Sequence, residues 1–195
     1  MKKVFKKSMV IAVISTALFM TSQASAIGVA AWGGYNMVLT GTADCSAFST
    51  CSTGGIAFGG DAYLSGLGPI QLGVAGAYLP LQKFDGTISG QSFSLSSAMV
   101  PILAVARFDL PVIPIFLGGG VGYAFGISSA SGANVSGAGS SFALGAFAGY
   151  TKSLIPLVSI EAGFRVHAIL ADTSASAVSG ALITLTPTIG ASLKF

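Results

Sequence analysis

Charged side chains are scarce in this 195-residue chain: Asp, Glu, Lys and Arg make up 8% of it, whereas 52% of the residues are hydrophobic. A water-soluble domain ordinarily covers itself with ions of both signs, so this composition is unusual for one. Four of the nine Lys and Arg residues lie in the first seven positions, which leaves five cations against six anions in the rest, a net charge of −1. Five scattered cations exclude a basic nucleic-acid-binding surface.

Residues that bind metals or act as catalytic bases are also few. His167 is the only histidine, and Cys45 and Cys51 are the only cysteines. No nucleophile is placed to work with His167, so the sequence predicts no enzyme, no catalytic residue, no metal site and no cofactor. Cys45 and Cys51 are expected to form a disulfide in an oxidising compartment, closing a small loop.

The amino terminus has the pattern of a secretory signal. Four lysines precede an uncharged run from Met9 to Met20, and Ala24-Ser25-Ala26 follows as a small-residue cleavage site. The alternative is an uncleaved membrane helix, but the apolar run is shorter than the roughly twenty residues that a span needs. The sequence therefore predicts a signal peptide over 1–26 and one domain over 27–195.

A helical membrane protein must be considered, because no charged residue lies between Asp109 and Lys152. Pro111, Pro114 and the glycines at 118–120 interrupt this stretch, and a Gly- and Ser-rich segment follows at 128–141. No clean apolar span of about twenty residues remains. Strands are the better interpretation.

The last fifteen residues, ALITLTPTIGASLKF, alternate between apolar and polar side chains, which is the period of a β-strand. The same alternation predicts eight strands, over about 27–40, 55–66, 70–81, 97–109, 113–127, 141–151, 160–170 and 181–195. Long polar loops and short turns alternate between them, as in an all-β, eight-stranded antiparallel up-and-down transmembrane β-barrel. The last strand is expected to pair with the first. A soluble β-sandwich is the structural alternative.

Charged and aromatic residues within the strands support the barrel. The charges lie on the face opposite to the aliphatic residues, where a Lys or Arg avoids the roughly 2–4 kcal/mol cost of facing lipid at the midplane. They predict a polar network in the lumen made of Asp61, Arg107, Glu161, Arg165 and Lys194. Aromatic residues on the lipid-facing parity predict two girdles, made of Tyr35, Tyr78, Phe108, Tyr123, Phe125, Phe142, Tyr150 and Phe195.

The lumen-facing positions are mostly Gly, Ala and Ser, with four bulky exceptions: Trp32, Tyr63, Phe116 and Phe147. Small residues would leave a narrow channel, whereas a few large side chains can close an eight-stranded barrel. The sequence leaves both outcomes open.

Taken together, the signal peptide, the eight alternating strands and the terminal Phe195 resemble the small eight-stranded outer-membrane barrels of Gram-negative bacteria, of the OmpA/OmpX type. The resemblance implies a place in the bacterial outer membrane, with outer-membrane lipid and lipopolysaccharide as partners and the barrel-assembly machinery reading Phe195 during biogenesis. The expected function is non-enzymatic: membrane integrity, with slow diffusion of small solutes through a porin-like lumen. The alternative is surface adhesion or ligand binding through the extracellular loops.

Overall fold

A computed structural model describes residues 27–41, 50–67, 69–88, 91–130, 133–135, 139–170 and 181–195. The predicted signal peptide and Cys45 lie outside the described residues, and the division at residue 26 stays a prediction. The described residues form ten strands: β1 (Ile27–Thr40), β2 (Thr50–Thr53), β3 (Gly55–Leu67), β4 (Ile70–Ile88), β5 (Gln91–Asp109), β6 (Ile115–Ala130), β7 (Ala133–Val135), β8 (Ser140–Ile155), β9 (Val158–Leu170) and β10 (Ala181–Lys194). No helix in these ranges is long and apolar enough to cross a membrane.

Eight long strands close into an antiparallel barrel. Neighbours in the chain pair in order, and β10 pairs with both β9 and β1. At the lower end of this closing seam, Ile27 and Phe195 exchange two backbone hydrogen bonds of 3.0 and 2.8 Å. Closure leaves the eight long strands without a free edge along the barrel wall, which satisfies the backbone of a structure surrounded by lipid. The predicted fold class is confirmed.

The two faces of the barrel wall differ as the alternation predicted. On β9, Glu161, Arg165 and His167 are buried inside, whereas Phe164 and Val166 between them are exposed outside. The exposed aliphatic and aromatic side chains continue around the wall on every long strand. A surface this apolar suits lipid and not water.

The structure differs from the predicted strands at the outer end of the barrel, opposite the end that carries both termini. β4 continues as far as Ile88 and β5 already begins at Gln91, although a polar loop was expected over 83–95. β2 pairs with the extended part of β4. Similarly, β7 pairs with β6 inside the stretch expected to be a loop. Polar composition did not prevent pairing, because each added residue in a hairpin completes backbone hydrogen bonds whatever its side chain.

Candidate functional site in the barrel lumen

A group of charged side chains lies at the lower end of the lumen, near the termini. Arg107 Nε donates to Asp109 Oδ1 at 2.7 Å, and Arg107 Nη1 donates to Glu161 Oε1 at 2.8 Å. Asp109 Oδ2 also accepts from Gln71 Nε2 at 2.7 Å and from Lys194 Nζ at 3.4 Å. Two cations and two anions on β5, β9 and β10 thus neutralise each other, and the neutral Gln71 joins β4 to the group.

The middle of the lumen holds a second ion pair. Arg165 donates through Nη1 to Asp61 Oδ1 at 3.0 Å and through Nη2 to Asp61 Oδ2. This fork-to-fork geometry is the strong form of an arginine–carboxylate pair. Both side chains are buried, so the pair joins β9 to β3 through the interior of the barrel.

Each of the two arginines is held between aromatic rings. The Cζ atom of Arg107 lies 4.1 Å from the centroid of Phe116 and 5.7 Å from that of Tyr63. The Cζ atom of Arg165 lies 4.4 Å from Trp32 and 5.1 Å from Phe147. These distances are within the range of cation–π attraction, which is strengthened by removal from water.

The two arrangements form one continuous stack, because the centroids of Phe116 and Phe147 are 6.3 Å apart. We call this stack the arginine–aromatic column; it consists of Tyr63, Arg107, Phe116, Phe147, Arg165 and Trp32. The four bulky inward residues of the sequence are therefore the four rings of the column.

Inward glycines make room for these rings. A Cβ atom on Gly118 would lie 2.2 Å from ring atoms of Phe147, and one on Gly149 would lie 2.6 Å from the ring of Phe116. A Cβ on Gly59 would similarly lie 2.4 Å from the indole of Trp32. Each of these rings thus lies over the backbone of a neighbouring strand, which is why this lumen combines many glycines with a few large side chains.

In the upper lumen, a buried amide lies beside an interruption in the strand pairing. Pro187 in β10 has no N–H to donate, and the pairing of β1 with β10 is interrupted between Gly34↔Thr188 and Met37↔Leu185. Asn36 lies in this interruption and is fully buried. Its Oδ1 accepts from Thr186 Oγ1 at 2.9 Å, and its Nδ2 donates to the carbonyl of Pro80 at 2.7 Å.

The rest of the described interior is packed with apolar side chains. Leu79, Leu103 and Ile169 are all buried around the column or above it. A cavity bordered by the column and by His167 has a volume of about 10 Å³, room for about one water molecule. Side chains therefore fill the described lumen, an outcome that the sequence left open.

The structure places the sequence-predicted residues as follows. Four of the five expected lumen residues are buried inside as two ion pairs, Asp61 with Arg165 and Arg107 with Glu161. The fifth, Lys194, is exposed at the lower rim and reaches the second pair through Asp109. Sequence reasoning did not include Asp109, although its inward parity was visible, and it missed Gln71 and Asn36. Cys51 lies in β2, but Cys45 is outside the described residues, so the disulfide stays a prediction.

The eight expected girdle residues are in strands or next to them and are partly or fully exposed on the outer face. Tyr123 and Phe142 contact edge to face across β6 and β8, with centroids 6.2 Å apart. His167 is buried inside, beside Arg165. Among the described residues, no three His, Cys, Asp or Glu side chains are grouped to hold a metal ion.

A closed antiparallel barrel, apolar outside and with a neutralised polar interior, defines the class: an eight-stranded transmembrane β-barrel of the outer-membrane type. No protein-family model matches the chain, and no curated protein sequence matches it.

Solved structures with this fold are known. Neisserial surface protein A matches with a TM-score of 0.50 and 17% identity, over 89% of this chain and 98% of that one. Ail, the attachment invasion locus protein of Yersinia pestis, in complex with the heparin analogue sucrose octasulfate, matches with a TM-score of 0.54 and 15% identity, over 89% and 100%. A major outer membrane protein from Thermus thermophilus matches with a TM-score of 0.54 and 14% identity, over 89% and 100%. At these identities the likeness concerns the fold, and the fold is that of the small outer-membrane barrels expected from the sequence.

Proposed function

We propose that this protein is a non-enzymatic structural barrel of the outer membrane, which contributes to membrane integrity and does not conduct solutes. The single observation that carries the proposal is the filled lumen. The arginine–aromatic column occupies the interior from Tyr63 to Trp32, and the cavity beside it has a volume of about 10 Å³. This packing argues against the slow solute diffusion that the sequence suggested as a second part of the role.

The chemistry of the lumen also supports a structural role. The cations and anions of its two charged groups are paired with each other, so they are already neutralised before any passing ion could bind. His167 lies beside the paired Arg165 and is buried, away from any lipid substrate outside the wall. A nucleophile and a base that share a substrate cavity, as an enzyme requires, are not present among the described lumen residues.

Conductance in planar bilayers tests the filled lumen. The wild-type protein should show no channel openings at any voltage at which the bilayer is stable. Replacing two rings of the column, Phe116→Ala with Phe147→Ala, should produce small openings, because two large side chains no longer block the interior. The control is Phe125→Ala with Phe142→Ala, which removes two rings from the lipid-facing side and should not conduct. Openings of the wild-type barrel would overturn the proposal.

Membrane integrity is measured separately, in cells. A strain that lacks the protein should admit a hydrophobic dye faster than its parent, and the wild-type gene should restore the barrier. The non-conducting control variant should restore it as well. Equal dye uptake with and without the protein would contradict the integrity role and leave the lumen result untouched.

Surface adhesion remains the second candidate, because the hairpin of β4 and β5 extends beyond the barrel on the outer side. The Ail structure was solved with a heparin analogue, a polysulfated sugar. Here the outer end is poor in positive charge. In the sequence, the segments at the outer ends of the strands, 41–54, 82–97, 128–140 and 172–180, contain a single Lys or Arg, which is Lys83. A polyanionic partner therefore fits this protein poorly. Binding of a heparin-like polyanion in physiological salt would contradict this expectation.

A further inference from the structure

The outer extension of β4 and β5, together with β2, forms a small sheet with two unlike faces. One face is apolar and turned inward, with Phe84 buried and Leu95 paired with it. The other face carries the Lys83–Asp85 ion pair of 3.1 Å and six hydroxyl side chains. We call it the hydroxyl face; its hydroxyls are Thr50, Ser52, Thr87, Ser92, Ser94 and Ser96.

Pairing places these residues side by side. Lys83 is flanked by Ser52 and Ser96, and in the next row Asp85 is flanked by Thr50 and Ser94. Directly paired residues share a face of the sheet, so the hydroxyls and the ion pair form one continuous surface.

The hydroxyl face points sideways, toward the surrounding membrane, and not into the lumen. β5 pairs with β6 without a register shift from Asp109 to Leu95, so its even-numbered residues stay on the lipid-facing side. Phe108 and Ile102 on that side are exposed to lipid, and Ser96 continues the same row. On β4, a bulge between Pro80 and Gln82 reverses the alternation, which turns the odd-numbered Lys83 and Asp85 outward.

The height of this surface follows from the strand itself. Val100 pairs with Phe125 of the upper girdle. Toward the outer end of β5, Ser96 and Ser92 lie four and eight residues beyond Val100, which is roughly 14 and 27 Å along the strand at about 3.4 Å per residue, and less in height because the strand is tilted. An aromatic girdle marks the boundary of the hydrocarbon. The hydroxyl face therefore stands beside the headgroups of the outer leaflet.

We infer that the hydroxyl face binds the neutral sugar residues of glycolipids in the outer leaflet around the barrel. Ser and Thr hydroxyls both donate and accept hydrogen bonds, as sugar hydroxyls do, and the Asp85 carboxylate accepts. The charge of Asp85 is balanced by Lys83, so the surface favours neutral sugars over a polyanion. At the tip of this sheet, an open concavity of about 490 Å³ is bordered by five residues of the hydroxyl face and also by Gly86 and Phe93, which pair with each other on the opposite face.

The inference rests on the membrane role proposed above, because binding of glycolipid sugars gives the barrel a second contact with the membrane, beyond the hydrocarbon. Its test uses the full protein in lipid nanodiscs. Discs are made with phospholipid alone, or with a glycolipid that carries a neutral oligosaccharide, and binding of the labelled glycolipid is titrated. The test variant is Ser92→Ala with Ser94→Ala and Ser96→Ala. The matched control is Ser97→Ala with Ser128→Ala, which removes hydroxyls at the same height from the inward face.

The hydroxyl-face variant should bind the glycolipid about tenfold more weakly, which corresponds to the loss of one or two net hydrogen bonds. The control should change the affinity less than about twofold. If the triple variant lacks the heat-modifiable gel mobility of the folded barrel, the single changes Ser92→Ala and Ser96→Ala are titrated in its place, with the same direction expected.

Equal affinity of the hydroxyl-face variant and the control would overturn the inference. Equally tight binding of the same oligosaccharide without its lipid anchor would also overturn it, because the surface would then be a site for a soluble glycan. The two proposals fail in different measurements. If the integrity role is wrong, dye uptake by cells is the same with and without the protein, and glycolipid binding in nanodiscs is still intact.

Discussion

Arg165 and Asp61 form a two-pronged ion pair in the middle of the barrel, although 104 residues separate them in the chain. Both side chains are buried, and the indole ring of Trp32 covers the guanidinium at 4.4 Å. The pair connects strands that lie on different sides of the closing seam. Its energetic consequence can be measured, because Trp32 is the only tryptophan and reports on this position by fluorescence.

Asp61→Asn should destabilise the barrel by about 3–5 kcal/mol, because it leaves the charge of Arg165 buried without its counter-ion. Urea unfolding in lipid vesicles, followed by Trp32 fluorescence, measures the change. The control is Asp61→Leu with Arg165→Met, which removes both charges and should recover most of the stability. A loss below about 1 kcal/mol for Asp61→Asn would show that water reaches the pair in the lumen.

Gly118→Ala should destabilise the barrel by about 1–3 kcal/mol, as expected for overpacking. The new methyl group would lie 2.2 Å from the ring of Phe147 and 2.7 Å from the carbonyl of Ala106. Urea unfolding checks this, with Gly76→Ala as the control, since a Cβ there meets its nearest neighbour at 4.0 Å. Adding Phe147→Leu should recover part of the loss. If both glycine variants are equally stable, the ring moves aside at no cost.

Asn36→Ala should cost about 1–3 kcal/mol, because it leaves buried hydrogen-bonding groups of Thr186 and Pro80 without their partner. Thr40→Ala is the matched control. Thr40 Oγ1 also makes two hydrogen bonds at the β1–β10 seam, donating to Ala181 and accepting from Ile183, but it is exposed. Water can replace its bonds, so this variant should lose less than about 1 kcal/mol. Equal losses would mean that burial does not distinguish the two positions.

The pKa of Asp85 lies below its usual value of 3.8, because Ser94 and then Lys83 donate hydrogen bonds to the carboxylate. A group with a lowered pKa in the folded state stabilises that state above the unfolded pKa, and this contribution is lost as the pH falls through the folded pKa. Carboxyl NMR of labelled aspartate should show Asp85 titrating below 3.8, and Ser94→Ala should raise its pKa. An unchanged pKa in Ser94→Ala would contradict the assigned hydrogen bond.

Much of this protein could be predicted from local pattern. The last strand, Ala181–Lys194, has its apolar and polar residues on the faces expected from alternation. The same holds for the inward charges, since a charged group facing lipid would cost several kcal/mol. The outer sheet could not be predicted, because Ser and Thr in a hairpin extension look like a loop when only composition is considered. The bulge after Pro80 has no sequence signal either, apart from the proline itself.

The sequence by itself determined which residues face lipid and which face the lumen, because the period of two is a local property of each strand. It also determined the number of long strands and their up-and-down order. Only the tertiary structure decided whether the lumen is open. That outcome depends on Arg107 meeting Phe116, on Arg165 meeting Asp61, and on the rings finding glycines on neighbouring strands. Those contacts exist only after the barrel closes and brings distant strands within reach of one another.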